Sequence, residues 1–198
     1  KEHCELHEKP TWKDVLAEIL GNFFFQKDLG LLLDLAVYSI ITEDNVGQYY
    51  PDYAYNHFPF TEGQKIYSDS KVSDFLFGVS EDQIVGFLNE WNDINRPNDK
   101  VYISYDSTNK NCQAGDLEMA EFGHPKIDVG APIINISVGY DTTNKIPLFY
   151  EEYPGSINDI SQFRNMVGKA VGYGYKKIGF ILDRGYFSKG NIEYMDSC

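Results

Sequence analysis

The chain has 198 residues, 42% hydrophobic and 15% aromatic, which is apolar mass enough for one domain or two small ones and too much for a disordered chain. It carries 17 Lys+Arg against 30 Asp+Glu, a net charge of -13. That balance excludes a generic nucleic-acid binder, because basic surface supplies most non-specific affinity for phosphate, so any DNA chemistry must rest on a local site.

The chain opens on Lys1, without a methionine, and stops at Cys198 just as a helix begins, which suggests a piece of something longer. In "HCELH", Cys4 and His7 lie one turn apart if helical, but no second pair at ligand spacing follows, so a solvated terminus is the reading. Three scattered cysteines, Cys4, Cys112 and Cys198, fit a reducing compartment better than a disulfide framework, and a cytoplasmic location is expected. Thr11 can cap "WKDVLAEIL", with Asp14 three residues on and Gly21 placed to end the helix. The run "LGLLLDLAVYSII" at 29–41 is too short for a bilayer and carries Asp34, so it predicts a buried helix and no membrane partner.

Residues 47–64, "GQYYPDYAYNHFPFTEGQ", are dense in Tyr without clear periodicity and read as loop. Such aromatics can stack on bases, but packing within a loop is the commoner use. Ser80 and Gln83 form a capping box ahead of a stripe of Ile84, Phe87, Leu88 and Trp91. The segment "NDINRPNDK" at 92–100 is the natural seam, dividing a helical region over 1–98 from a second region over 99–198. Residues 1–100 hold 8 Lys+Arg against 18 Asp+Glu, and residues 101–198 hold 9 against 12, so the acid is concentrated in the first half.

After the seam the period changes to 2. Val101, Ile103 and Tyr105 alternate with Tyr102, Ser104 and Asp106, which predicts a strand with Asp106 at its carboxyl end and a polar loop over 107–130. Ile134, Ile136 and Val138 alternate with Asn135 and Ser137, "YDTTNK" supplies turn residues, and "IPLFYEEY" runs back as the partner of a hairpin. Pro147 belongs near the start of its strand. Ser156 and Asp159 cap a helix with Ile157, Ile160, Phe163, Val167, Ala170 and Val171 on one face, and Gly172 to Gly174 end it. "IGFIL" at 178–182 predicts a strand covered on both faces, followed at once by Asp183, with another helix starting near Ser188. The class is α/β.

A right-handed helical crossover places the 178–183 strand parallel to 101–106, about 4.8 Å away. Asp106 and Asp183 would then converge in one dry cleft, where two carboxylates repel unless a cation such as Mg²⁺ sits between them. A lone strand-end aspartate more often caps the next turn, and Asp183 before "RGYFS" is placed to do so.

"YDST", "FILDRGYFS" and the intervening "GHPKIDVGAPIINISVGYDTTNKIPLFYEEYPGSINDI" together resemble the DDE transposases of bacterial insertion sequences, over roughly residues 101–198. The resemblance implies a ribonuclease H-like mixed-sheet core, preceded here by the helical region. It also implies a pair of divalent metals, Mg²⁺ or Mn²⁺, held by Asp106, Asp183 and a glutamate, and in-line attack of water or a DNA 3' hydroxyl on a phosphodiester. The implied partners are transposon-end and target DNA, with a homodimer in the full-length protein. The family's glutamate lies on a later helix, in a Tyr, Arg, Glu motif that the chain does not reach. "YFSKGNIE" mimics its spacing with Tyr186, Lys189 and Glu193, but has Lys for Arg and overlaps the second-aspartate motif. A fragment with two of three ligands is expected to be inactive.

Lys110, Lys126 and Arg184 flank the aspartates and are the expected DNA contacts. Two rival readings are weighed. Phosphotransfer of the haloacid dehalogenase type needs Asp-x-Asp, and "DST" lacks the second carboxylate. A non-catalytic interaction or regulatory module derived from a transposase suits the acidic first half but leaves the aspartate motifs without a use.

Overall fold

In the computed structural model, which describes residues 12–43, 47–96, 100–126, 128–186 and 188–197, the change of period near residue 100 is a change of architecture. The chain divides into two units, Lys1–Trp91 and Asn92–Cys198. The readings made for Cys4, His7, Thr11 and Cys198 lie outside the described residues.

The first unit is helical: α1 (Trp12–Gly21), α2 (Gln26–Thr42), α3 (Tyr50–Tyr55), α4 (Asp69–Phe77) and α5 (Glu81–Asn95), whose last turn passes into the second unit. Among the described residues no helix is long and apolar enough to cross a membrane. The capping box forms as its sequence predicts, with Gln83 N–H donating to Ser80 Oγ (3.3 Å) and Ser80 N–H to Gln83 Oε1 (2.9 Å). The tyrosine-rich segment is not simply loop. It folds into α3, with Pro51 in the first turn where no backbone donor is needed, and buries Tyr50 completely against Leu31, Tyr38, Ala54 and Val72. Periodicity failed there because a six-residue helix is too short to display any.

Among the described residues of this unit, Asp34 is the buried acid. Its Oδ1 accepts from the Phe60 amide at 2.6 Å and its Oδ2 from the Tyr50 hydroxyl at 3.3 Å, tying α2 to α3 and to the chain beyond it. Burial raises its pKa above the ordinary 3.8, and these hydrogen bonds oppose that rise.

The second unit contains β1 (Val101–Asn111), β2 (Ile133–Asp141), β3 (Ile146–Pro154), α6 (Asp159–Gly172), β4 (Ile178–Leu182) and α7 (Lys189–Ser197). The strands form one mixed sheet in the order β3-β2-β1-β4, with β1-β2 and β2-β3 antiparallel and β4 parallel to β1. Pro147 is the second residue of β3, as expected. The core gathers Val101, Ile103 and Tyr105 of β1, Leu148 and Phe149 of β3, and Phe163, Met166, Val167 and Ala170 of α6.

Four expectations need correction. β1 does not end at Asp106; it runs on to Asn111, paired residue for residue with Ser137 back to Ile133. Its polar end is held by side chains, since Asn109 Nδ2 donates to His124 O (3.1 Å) and Asn111 Nδ2 to Asp128 O (2.9 Å), so the polarity that reads as loop belongs to a strand laced to its neighbouring loop. The cap of α6 is Asn158, whose Oδ1 accepts from Ser161 N–H at 2.9 Å, while Ser156 Oγ donates instead to Glu121 Oε2. Ile157, Ile160 and Val171 are 37%, 41% and 53% exposed; Gln162 and Met166 take buried places on α6. β4 is an edge strand, not one covered on both faces, and Ile181 is 49% exposed.

The Pro154–Gly155 pair that precedes α6 has a steric explanation. A Cβ on Gly155 would strike the carbonyls of Glu121 and Ile133, two residues joined by an isolated antiparallel bridge, and a Cβ on Gly123 would strike Gly155 itself. Glycine here lets three backbone segments touch.

Phe163→Ala should destabilise the second unit by about 3–5 kcal/mol, because its ring is fully buried, whereas Val171→Ala, at a position 53% exposed, should change it by less than about 0.5 kcal/mol. Denaturant unfolding of the two variants checks this. The raised pKa of Asp34 means the folded state holds its proton more tightly than the unfolded state. Stability should therefore fall as pH rises from below 3.8 through the raised value, and Asp34→Asn should flatten that limb of the pH–stability curve.

Candidate active site

The parallel ladder of β1 and β4 fixes where the two aspartates lie. Val101 pairs with Ile178 and the register runs on to Tyr105 with Leu182, so Asp106 and Asp183 are the next residues on neighbouring chain segments, which run about 4.8 Å apart. Asp106 is an interior residue of β1; Asp183 follows the last residue of β4. Both are exposed, so the dry cleft expected for them is absent: Asp106 alternates with the buried set Val101, Ile103 and Tyr105, and Asp183 follows an exposed edge strand.

Each carboxylate uses one oxygen locally. Asp106 Oδ1 accepts from Ser107 N–H at 2.9 Å, and Asp183 Oδ1 accepts from Gly185 N–H at 2.6 Å, closing the short 3₁₀ turn Arg184–Tyr186. The turn-capping use of Asp183 is therefore present. Among the described residues neither Oδ2 takes a hydrogen bond or an ion pair, and no group of three His, Cys, Asp or Glu side chains suited to a metal is assembled. Glu193 of α7 is exposed and pairs with Lys189 at 3.6 Å. Two carboxylates on neighbouring chain segments would offer a divalent cation at most a weak site.

The three cations are distributed unevenly. Lys126 is exposed, and its Nζ donates to Ser107 O at 2.6 Å, one residue from Asp106. Arg184 is exposed and follows Asp183 directly. Lys110 shares the alternation of Asp106 on β1 but lies four residues further along, about 13 Å at the usual strand rise, too far to meet the same phosphate oxygen.

Beneath β1 lies a polar group that sequence reading missed. Ser107 Oγ donates to Asp159 Oδ2 (2.8 Å), Tyr153 OH to Asp159 Oδ1 (2.7 Å), and Ser137 Oγ to Tyr153 OH (3.2 Å). One carboxylate at the first turn of α6 thus gathers β1, β2 and β3. Burial, then the hydrogen bond to Asp159, pushes the Tyr153 phenol up to about 12. Among the described residues the Tyr186 hydroxyl, fully buried and raised in pKa by burial, has no hydrogen-bond partner, while its ring meets Tyr105 edge-on at 5.4 Å. The available signal was Asp159 itself, placed four residues after Gly155. A cavity of about 240 Å³ opens beside this group, lined by Ser107, Asn109, His124, Lys126, Asn158 and Asp159 among others.

The chain matches no protein-family model, no curated protein and no solved structure.

Proposed function

We propose that residues 99–198 form the ribonuclease H-like core of a DDE transposase, whose parent protein cuts and joins DNA phosphodiesters at transposon ends. The observation that supports this most is the parallel pairing of β4 with β1, whose last register pair, Tyr105 with Leu182, is followed by Asp106 on one segment and Asp183 on the other. Asp106 and Asp183 would hold Mg²⁺ or Mn²⁺ through their free Oδ2 atoms. When bound, such an ion supplies Lewis acidity toward a phosphodiester and lowers the pKa of an attacking hydroxyl. Lys126 and Arg184 draw the DNA backbone toward the two acids, Lys110 extends that attraction along β1, and the β1–β4 pairing keeps the carboxylates in register. With two carboxylates the affinity is low and the 198-residue chain does not cleave DNA.

One observation favours a second reading, a non-catalytic interaction module derived from such a transposase: residues 1–100 hold 18 Asp+Glu against 8 Lys+Arg, a field that opposes DNA. Gel shifts against candidate inverted-repeat ends separate the two. A sequence preference supports the transposase reading, and none at any salt supports the module.

Calorimetric titration with Mn²⁺ should give binding in about the millimolar range that Asp106→Ala or Asp183→Ala abolishes, with no nicking of supercoiled plasmid. Binding unchanged in both variants would remove the metal site. Nicking with Mg²⁺ that disappears on Asp106→Ala would contradict the inactivity of the chain.

A further inference from the structure

A groove of about 380 Å³ opens on the first unit, lined by Phe24 and Phe25 from the turn before α2, Asp28 and Leu31 of α2, and Tyr67 and Phe75 from the region of α4. The Phe24 and Phe75 rings lie 6.4 Å apart, and Phe25, 77% exposed, stands at the surface. Lys71 and Asp74 also line the groove and neutralise each other at 3.0 Å. Among the described residues the Asp28 carboxylate takes neither a hydrogen bond nor an ion pair. Leu76 and Phe77, at the end of α4, extend the apolar surface beyond it.

We propose that this groove docks a cationic amphipathic segment of a protein partner, with Lys or Arg heads at Asp28 and apolar side chains against the aromatic rings. Charge selects the partner. Residues 1–91 hold 6 Lys, no Arg and 16 Asp+Glu, a field that concentrates cations and repels both nucleic acid and anionic lipid. Ring chemistry points the same way, since aromatic faces attract ammonium and guanidinium groups. Two rings of the groove already take such groups from the chain itself: Lys27 Nζ lies 5.9 Å from the Phe25 centroid and Lys65 Nζ 4.8 Å from that of Tyr67. The volume is within the range of ligand pockets and admits side chains of a helix or strand rather than a folded domain. The proposal does not depend on the chemistry of the second unit.

Fluorescence anisotropy of the full 198-residue chain with a labelled synthetic amphipathic helix of Leu and Lys tests it, against a twin carrying Glu for Lys. The Lys peptide should bind at least about tenfold more tightly than the twin, and less tightly as salt rises. Phe25→Ser and Asp28→Asn should each weaken binding by about threefold, with an unchanged circular dichroism spectrum. Phe25 is exposed at the N-cap of α2, where serine is well suited, so that variant keeps its fold. Failure of the Lys peptide to bind, equal binding of the twin, or wild-type affinity in both variants would each overturn the proposal.

Discussion

The pairing of β4 with β1 is the constraint on which the second unit depends. It is the parallel contact in an otherwise antiparallel sheet, and only a crossover can make it, so α6 must be covered by the sheet on the face it presents. Phe163, Met166, Val167 and Ala170 supply that face, and Phe163 meets Phe180 of β4 edge-on at 5.7 Å. Burying side chains of this size contributes about 1.5–3 kcal/mol each, which is large beside the net stability of a domain. The same packing that pays for the crossover sets the register of Tyr105 with Leu182, and hence the adjacency of two acidic groups that are 77 residues apart in the chain.

The interior of this unit is partly polar, and its polar members are placed where elements must be held in register. Asn135 donates to the carbonyls of Pro154, Gly155 and Ile157, fixing the exit from β3. Asp141 accepts from Thr143 N–H, Asn144 N–H and Asn144 Nδ2, which closes the hairpin turn. Glu151 accepts from Tyr105 OH and Gln162 Nε2, joining β3 to β1 and α6. Buried polar groups with their partners in place specify one arrangement, because any slip of register would strand them.

Much of the architecture was legible. The change of period from 3.6 to 2, the hairpin, the helix after it and the final apolar run are each strong local signals, and their order alone implies the parallel return. What was not legible has a common cause. In β2 the alternation identifies the strand but not its inside: Asn135, Ser137 and Asp141 are buried, while Val138 and Tyr140 are partly exposed. Likewise Ser107, Asn109 and Asn111 look like loop residues by composition but belong to β1, because they pair with β2 while Asp159 of α6 takes the Ser107 side chain and the adjacent loop those of Asn109 and Asn111. For the candidate site, the adjacency of Asp106 and Asp183 followed from topology, whereas their exposure, and the local hydrogen bonds that occupy one oxygen of each, did not.

The central claim is that Asp106 and Asp183 act on one ion. Paramagnetic broadening of backbone amide resonances during a Mn²⁺ titration tests it most directly, because broadening falls off steeply with distance from the bound ion. The account predicts that the amides of Ser107 and Arg184 broaden together, at the same Mn²⁺ concentration, and before those of exposed acidic residues elsewhere. Broadening at only one of the two, or at neither, would contradict it.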